Sequence, residues 1–194
     1  KVKMPLALLY TMHDPKYNWK YYSEPEPHLN NRRLFCPRGK MIGGCSAHNG
    51  MVFVRGNRND YERWESFGLK SWSYDNILPY FKKIENWSGG ENQYRGSFGL
   101  LPVNQSKNSN KLFKAFLNAS SEAGHKINPD MNGEMQEGFG MFDTTIHNGE
   151  RASVSKHYLN PAKKRKNLNI FSNSFVEKII FEGKKAIGIE VKIK

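Results

Sequence analysis

The stretch from Pro37 to Met51 constrains this chain most. It packs Gly39, Gly43, Gly44 and Gly50 among small polar residues, then enters the apolar run Met51-Val52-Phe53-Val54. Paired glycines let a backbone bend through φ > 0, approach a ligand closely and leave N–H groups free to meet an anion. That chemistry suits a diphosphate-bearing cofactor, and the same spacing also suits a plain turn ahead of a strand. A Walker A loop is excluded, because no Gly-Lys-Ser/Thr follows at the required spacing. No GxGxxG occurs anywhere in the chain.

Composition narrows the field. With 194 residues the chain can form one or two domains and bury a real core. No run approaches the roughly 18 apolar residues of a membrane-spanning helix. The opening Lys1-Val2-Lys3-Met4-Pro5-Leu6-Ala7-Leu8-Leu9-Tyr10 resembles a signal peptide superficially. It lacks an A-x-A-like cleavage site and runs at once into Met12-His13-Asp14-Pro15, so a secretion signal is not expected. Cys36 and Cys45 are too few for a disulfide framework and lack zinc spacing, which points to a reducing compartment. The formal charge of +12 raises nucleic acid and membrane surfaces as partners. The basic residues are dispersed, so no nucleic-acid partner is expected. Their densest run, Lys163-Lys164-Arg165-Lys166, reads as a solvated loop or as a peripheral membrane contact.

Periodicity and punctuation predict a mixed α/β chain. Helical hints at residues 6–10 give way to an extended segment, in which Asn18-Trp19-Lys20-Tyr21-Tyr22 reads as a strand or an arm. Asn59 as N-cap with Glu62 three residues on predicts a helix that turns Trp64 and Phe67 inward and ends at Gly68. Ser73 caps a second helix, striped by Ile77, Phe81 and Ile84, which Pro79 should kink or break. Residues 86–109 read as loop with a short extended piece at Leu100-Leu101-Pro102-Val103, a boundary signal in composition alone. Residues 109–124 carry an amphipathic helix closed by Gly124. Residues 125–150 form a long functional loop, in which Asp130, Asn132, Gly133 and Glu134 fail the EF-hand spacing. A short helix over 151–159 precedes Pro161. The remainder is β: strands at 168–171 and 175–181, then Ile187, Ile189, Val191 and Ile193 alternating with polar partners, which predicts a strand with that face buried. His13, His28, His125, His147 and His157 show no ligand spacing, and no catalytic metal is expected.

Taken in order, the motifs resemble one family. Arg38-Gly39-Lys40-Met41-Ile42-Gly43-Gly44-Cys45-Ser46-Ala47-His48-Asn49 is similar to the first signature of the glucose-methanol-choline (GMC) oxidoreductases. Glu24-Pro25-Glu26-Pro27-His28, Asn30-Asn31-Arg32-Arg33, Val54-Arg55-Gly56-Asn57 and Asp60-Tyr61 extend the match. So do Leu78-Pro79-Tyr80-Phe81, Gln136-Glu137-Gly138-Phe139-Gly140 and Tyr158-Leu159-Asn160-Pro161-Ala162. Within the family the pattern is most similar to members that oxidise choline toward glycine betaine.

The resemblance implies FAD as cofactor and a small-molecule alcohol, choline, as substrate, with the electron acceptor left open. It implies a cytoplasmic protein or one peripheral on the inner membrane, as some members are. It places Met41, Gly43, Gly44, Ser46, His48, Asn49, Gly50, Met51 and Val52 along the flavin and its pyrophosphate, and Val176 toward the adenine. It divides the chain into an FAD-binding portion at 1–60, a helical and loop region opening the substrate domain or lid at 61–160, and a β-meander of the FAD-binding domain at 161–194. The family's dinucleotide motif and its catalytic histidine find no counterpart, so the chain reads as a fragment and no catalytic residue is assigned. Two positions depart from the usual signature. Cys45 replaces a serine, and His48 stands where most members carry an aliphatic residue. Gly44-Cys45-Ser46-Ala47-His48-Asn49 is similar instead to choline oxidase, where that histidine is bonded covalently to the flavin, although Gly50 stands where choline oxidase has serine. The resemblance therefore makes His48 a candidate attachment point for FAD, against the alternative of a hydrogen-bonded histidine packed under the loop.

Overall fold

The computed structural model describes residues 2–193, which fall into two compact units, Lys1–Pro161 and Ala162–Lys194. The first runs α1 (Leu8–His13), β1 (Tyr21–Tyr22), β2 (Phe35–Cys36), β3 (Val52–Phe53), α2 (Arg58–Ser66) and α3 (Tyr74–Ile84). It continues with β4 (Glu85–Trp87), β5 (Leu101–Val103), α4 (Lys111–Glu122), β6 (Asp143–Thr144), β7 (Ile146–His147) and β8 (Glu150–Arg151). The strands are short and pair in twos: β1 with β2, β3 with β6 and β7 with β8 antiparallel, β4 with β5 parallel. The β3–β6 pair ties the strand after the glycine-rich turn to the loop at 125–150. Residues 1–60 and most of 61–160 are thereby stitched into one unit.

The helices start and stop largely where their punctuation directs. Gly68 (φ +95°) and Gly124 (φ +84°) sit in the left-handed conformation just past α2 and α4. The Asn110 side chain caps α4 by accepting from the Leu112 N–H at 2.9 Å. The cap of α2 is Asn57 and not Asn59. Asn57 is extended, and its Oδ1 accepts from the Asn59 N–H at 2.9 Å, so Asn59 is already inside the helix. Trp64 packs edge-on to Tyr61 and Trp72, but both Trp64 and Phe67, read as inward, are exposed. Ser73 holds the N-cap position of α3 without a side-chain bond. Pro79 lies inside α3 without ending it. Proline removes one N–H and crowds one carbonyl, but α3 is gripped before that turn, where Tyr74 meets Tyr61 with ring centroids 6.2 Å apart, and again after it. Tyr61 meets Phe81 with ring centroids 5.9 Å apart, and the Lys82 ammonium donates to the Asn92 carbonyl at 2.7 Å.

The interior of this unit is ionic as much as apolar. Arg95 and Glu85 are both 0% exposed. Arg95 Nε donates to Glu85 Oε1 at 3.0 Å, one Nη to Asp130 Oδ1 at 2.5 Å and the other to Asp143 Oδ2 at 2.7 Å. The Arg95 guanidinium also lies over the Trp87 ring, 4.1 Å from its centroid. Arg55 donates to the same Glu85 oxygen at 2.5 Å, and the Gly96 N–H does so at 2.8 Å. The stretch 86–109, which composition marks as a boundary, therefore carries the central cation of the unit. Asp130 and Asn132, loosely reminiscent of a calcium loop, serve Arg95 and Arg55: Asn132 Oδ1 accepts from the Arg55 N–H at 2.8 Å.

The second unit is a hairpin, β9 (Ser174–Glu182) antiparallel to β10 (Lys185–Ile193). The strand expected at 168–171 does not form, since those residues find no strand to pair with among the described residues. The alternating strand is present as β10, but its apolar face is not buried. Ile187 is 55% exposed, Ile189 55%, Val191 37% and Ile193 75%. A two-stranded ribbon has no second layer of its own to cover a face. Register shifts at Ala186/Gly188 and Glu190/Val191 also interrupt the strict alternation. No helix among the described residues is long and apolar enough to cross a membrane.

Candidate functional site

The glycine-rich loop is held at its start by the preceding arm. Trp19 N–H donates to the Arg38 carbonyl at 2.9 Å, and Lys40 N–H to the Tyr17 carbonyl at 2.8 Å. Between them Asn18, buried, accepts from the Arg38 and Lys20 N–H groups and donates to the Met12 carbonyl at 2.6 Å. Asn18 is invisible as a signal in the sequence, because its partners lie on three separate segments.

From there the backbone tightens. Gly44 N–H donates to the Met41 carbonyl at 2.9 Å, and a single 3₁₀ turn spans Gly44–Ala47. Gly43 (φ +97°) and Gly44 (φ +52°) are both left-handed. Gly39 serves a different need, close approach. A Cβ on it would lie 2.6 Å from the Gly44 carbonyl carbon and closer still to its oxygen. Ser46 Oγ donates to the Gly43 carbonyl at 2.5 Å and accepts from the Val154 N–H at 3.0 Å. Met51 leaves the turn at φ +62°, unusual for a side chain of its size, and is buried. Its carbonyl accepts from Thr145 N–H at 2.8 Å and Thr145 Oγ1 at 3.2 Å. Those contacts hold the strained residue in place.

This geometry brings Met41, Gly43, Gly44, Ser46, His48, Asn49, Gly50, Met51 and Val52 into one continuous bend. Val176 lies on β9 of the second unit, half exposed and paired in register with Val191. The bend has an open side. A Cβ on Gly44 or Gly50 would meet nothing within 4 Å. The N–H groups of Ile42, Gly43 and Gly50 have no acceptor among the described residues. Free N–H groups beside left-handed glycines form a concavity suited to an anion, and exposed Asn49 adds a polar side chain. The residues present thus fit the phosphates and polar ring edge of the FAD that the resemblance implies.

His48 does something else. The ring is only 3% exposed, and its Nε2 lies 3.1 Å from the Thr11 carbonyl of α1. A bond from Nε2 to a flavin carbon would require breaking that contact and unburying the ring. Through that contact His48 braces the loop against α1.

Arg151, at the end of β8, carries no motif that would single it out in the sequence. It is 3% exposed, and one Nη donates to both the carbonyl and Oδ1 of Asn49, at 2.7 and 2.8 Å. Burial lowers its pKa with no carboxylate to offset the effect. It borders a cavity of about 390 Å³ lined by Lys3, Ile42, Ala47, Ser153, Ser155 and Lys156 among others.

Comparison with known proteins shows the family. The family model for GMC oxidoreductases matches residues 9–194, and the chain belongs to that family. It is 47% identical over 191 residues to an oxygen-dependent choline dehydrogenase of Brucella anthropi, covering 98% of this chain and 35% of that protein. It is 48% identical over the same length to one of Sinorhizobium fredii. The chain thus spans about a third of the length of the curated relatives it matches. Among solved structures it superposes on pyridoxine 4-oxidase from Mesorbium loti with a TM-score of 0.90 at 27% identity, covering 100% of this chain and 38% of that one. Formate oxidase of Aspergillus oryzae, at 21% identity and a TM-score of 0.83, shares the fold.

Proposed function

We propose that this chain is the flavin-contacting part of an FAD-dependent alcohol dehydrogenase whose substrate is choline, oxidised to betaine aldehyde. The observation that carries the reading is the 47% identity to oxygen-dependent choline dehydrogenases along 98% of the chain. FAD, when bound, accepts the hydride from the alcohol carbon. This chain's residues bind and orient: the free N–H groups of Ile42, Gly43 and Gly50 and the Asn49 amide meet the cofactor's acceptors. The Met51–Thr145 contacts keep the bend rigid. The proton acceptor is assigned to a part of the enzyme outside these residues, as is the pocket for the trimethylammonium group.

The test uses the full-length protein. It should purify yellow, and anaerobic choline should bleach the flavin band; a holoprotein that no amount of choline reduces would overturn the substrate. In the same preparation, acid precipitation should leave the flavin in the supernatant, as follows from the buried His48 ring. Yellow colour retained in the pellet of the wild type and lost in His48→Ala would establish the covalent tether instead.

A second reading, an oxidase acting on another alcohol, draws on the superposition with pyridoxine 4-oxidase. Bleaching by pyridoxine and not by choline would select it. The exposed run Lys163-Lys164-Arg165-Lys166 supports a peripheral contact with anionic lipid, which co-sedimentation with phosphatidylserine vesicles tests.

A further inference from the structure

Arg151 is a buried guanidinium that makes no ion pair among the described residues, and its Nε has no acceptor there. Burying an uncompensated charge is costly, so its remaining contacts call for a reason. They converge on one residue, Asn49, through its carbonyl and its side-chain oxygen. A guanidinium can only donate, so the Asn49 side-chain atom that faces it must be the oxygen. The same atom receives the Met51 N–H at 3.1 Å, and that group too can only donate. Two obligatory donors on one atom settle the orientation of an amide whose two ends are otherwise hard to tell apart. The Nδ2 group consequently points away from both donors, and it has no partner among the described residues although Asn49 is exposed.

We propose that Arg151 is a positioning residue, clamping Asn49 so that its Nδ2 donor, and not its oxygen, is the group presented to bound FAD. This rests on the cofactor reading above and sharpens it. The sequence leaves Asn49 able to donate or accept; the clamp occupies its acceptor and leaves the donor. A donor at the flavin's polar edge favours the electron-rich forms of the ring, including its adduct with sulfite, which places negative charge on the ring.

The test is made on full-length holoprotein, with sulfite as the probe and FAD content measured by extraction. Asn49→Asp keeps both accepting contacts and strengthens the one to Arg151, but replaces the donor with an anionic oxygen. Its thermal midpoint should equal or exceed that of the wild type, while sulfite affinity falls by about tenfold or more, the scale of one lost hydrogen bond to a charged group. Arg151→Gln should weaken sulfite binding in the same direction, and adding it to Asn49→Asp should weaken it no further. Wild-type sulfite affinity in Asn49→Asp, or full additivity in the double variant, would overturn the clamp. A wild type that purifies without flavin and takes up none would sink the cofactor reading itself, a result distinguishable from either.

Discussion

Replacing Arg95 should unfold this protein more effectively than any other single change. Arg95→Met removes the donor of three charge-assisted bonds and leaves Glu85, Asp130 and Asp143 facing one another without it. Breaking one partner of a buried ionic cluster costs on the order of 3–5 kcal/mol, a large share of a typical domain's stability. Arg95→Lys should fare little better, because one ammonium cannot reach three carboxylates in fork geometry. The surface pair Arg58–Asp75, at 2.9 Å, provides the contrast. Asp75→Ala should cost below about 1 kcal/mol, since both groups are solvated.

The cluster's members also differ among themselves. Burial pushes the Asp143 carboxyl above the usual carboxylate range, despite the Arg95 contact that pulls it down. A raised carboxyl means the folded state holds the proton better than the unfolded one. Its contribution to stability is therefore present below the unfolded value and lost as pH rises through the folded one. Asp143 thus holds its charge at a cost the fold must offset, so Asp143→Asn should destabilise less than Glu85→Gln, which removes the one carboxylate shared by Arg55 and Arg95. Urea melts of the four variants order these costs. An Arg95→Lys protein as stable as the wild type would show that the cluster is not what holds the unit together.

What is legible in the sequence follows from how local each cause is. The bend at Gly43–Gly44, the stops at Gly68 and Gly124 and the hairpin before Lys185 each depend on the φ of one residue, which residue type reveals. Asn57 and Asn59 are harder to separate, since both carry the same capping chemistry and only the backbone at 57 decides. Asn18, Arg95 and Arg151 are illegible for a different reason. Arg151 meets Asn49 and Arg95 meets Asp143 across long sequence separations, and no period or motif encodes such a pairing. The alternation in β10 correctly names a strand. It carries no information on what covers the apolar residues, which is a property of the assembled layers, nor on where the register shifts. At the site, His48 combines both situations. Its departure from the family pattern is visible, but its direction, down onto Thr11, depends on where α1 lies.

Gly39 and Gly44 should separate folding from cofactor binding. Gly39 has an ordinary φ, so alanine there is conformationally permitted, and its penalty is purely steric. The new methyl would sit 2.6 Å from the Gly44 carbonyl carbon, backbone against backbone, with no flexible side chain to move aside. One strand of the bend must shift, and with it the N–H groups of Ile42 and Gly43. Gly39→Ala is therefore expected to lose most of its FAD on purification and to melt earlier, by a few kcal/mol, the cost of forced overpacking. Gly44→Ala should behave in the opposite way. Its Cβ meets nothing within 4 Å, so the fold bears only the strain of a left-handed alanine at φ +52°, about 1–2 kcal/mol. The methyl nonetheless projects into the open side of the bend, where the cofactor is proposed to lie. Equilibrium titration of the deflavinated full-length proteins with FAD, beside thermal melts, resolves the two effects. The expected result is a folded Gly44→Ala protein whose FAD affinity is at least about tenfold weaker, the scale of one steric intrusion into a tight contact. If Gly44→Ala binds FAD as the wild type does, the cofactor does not pass over Gly44, and the open side of the bend serves something else.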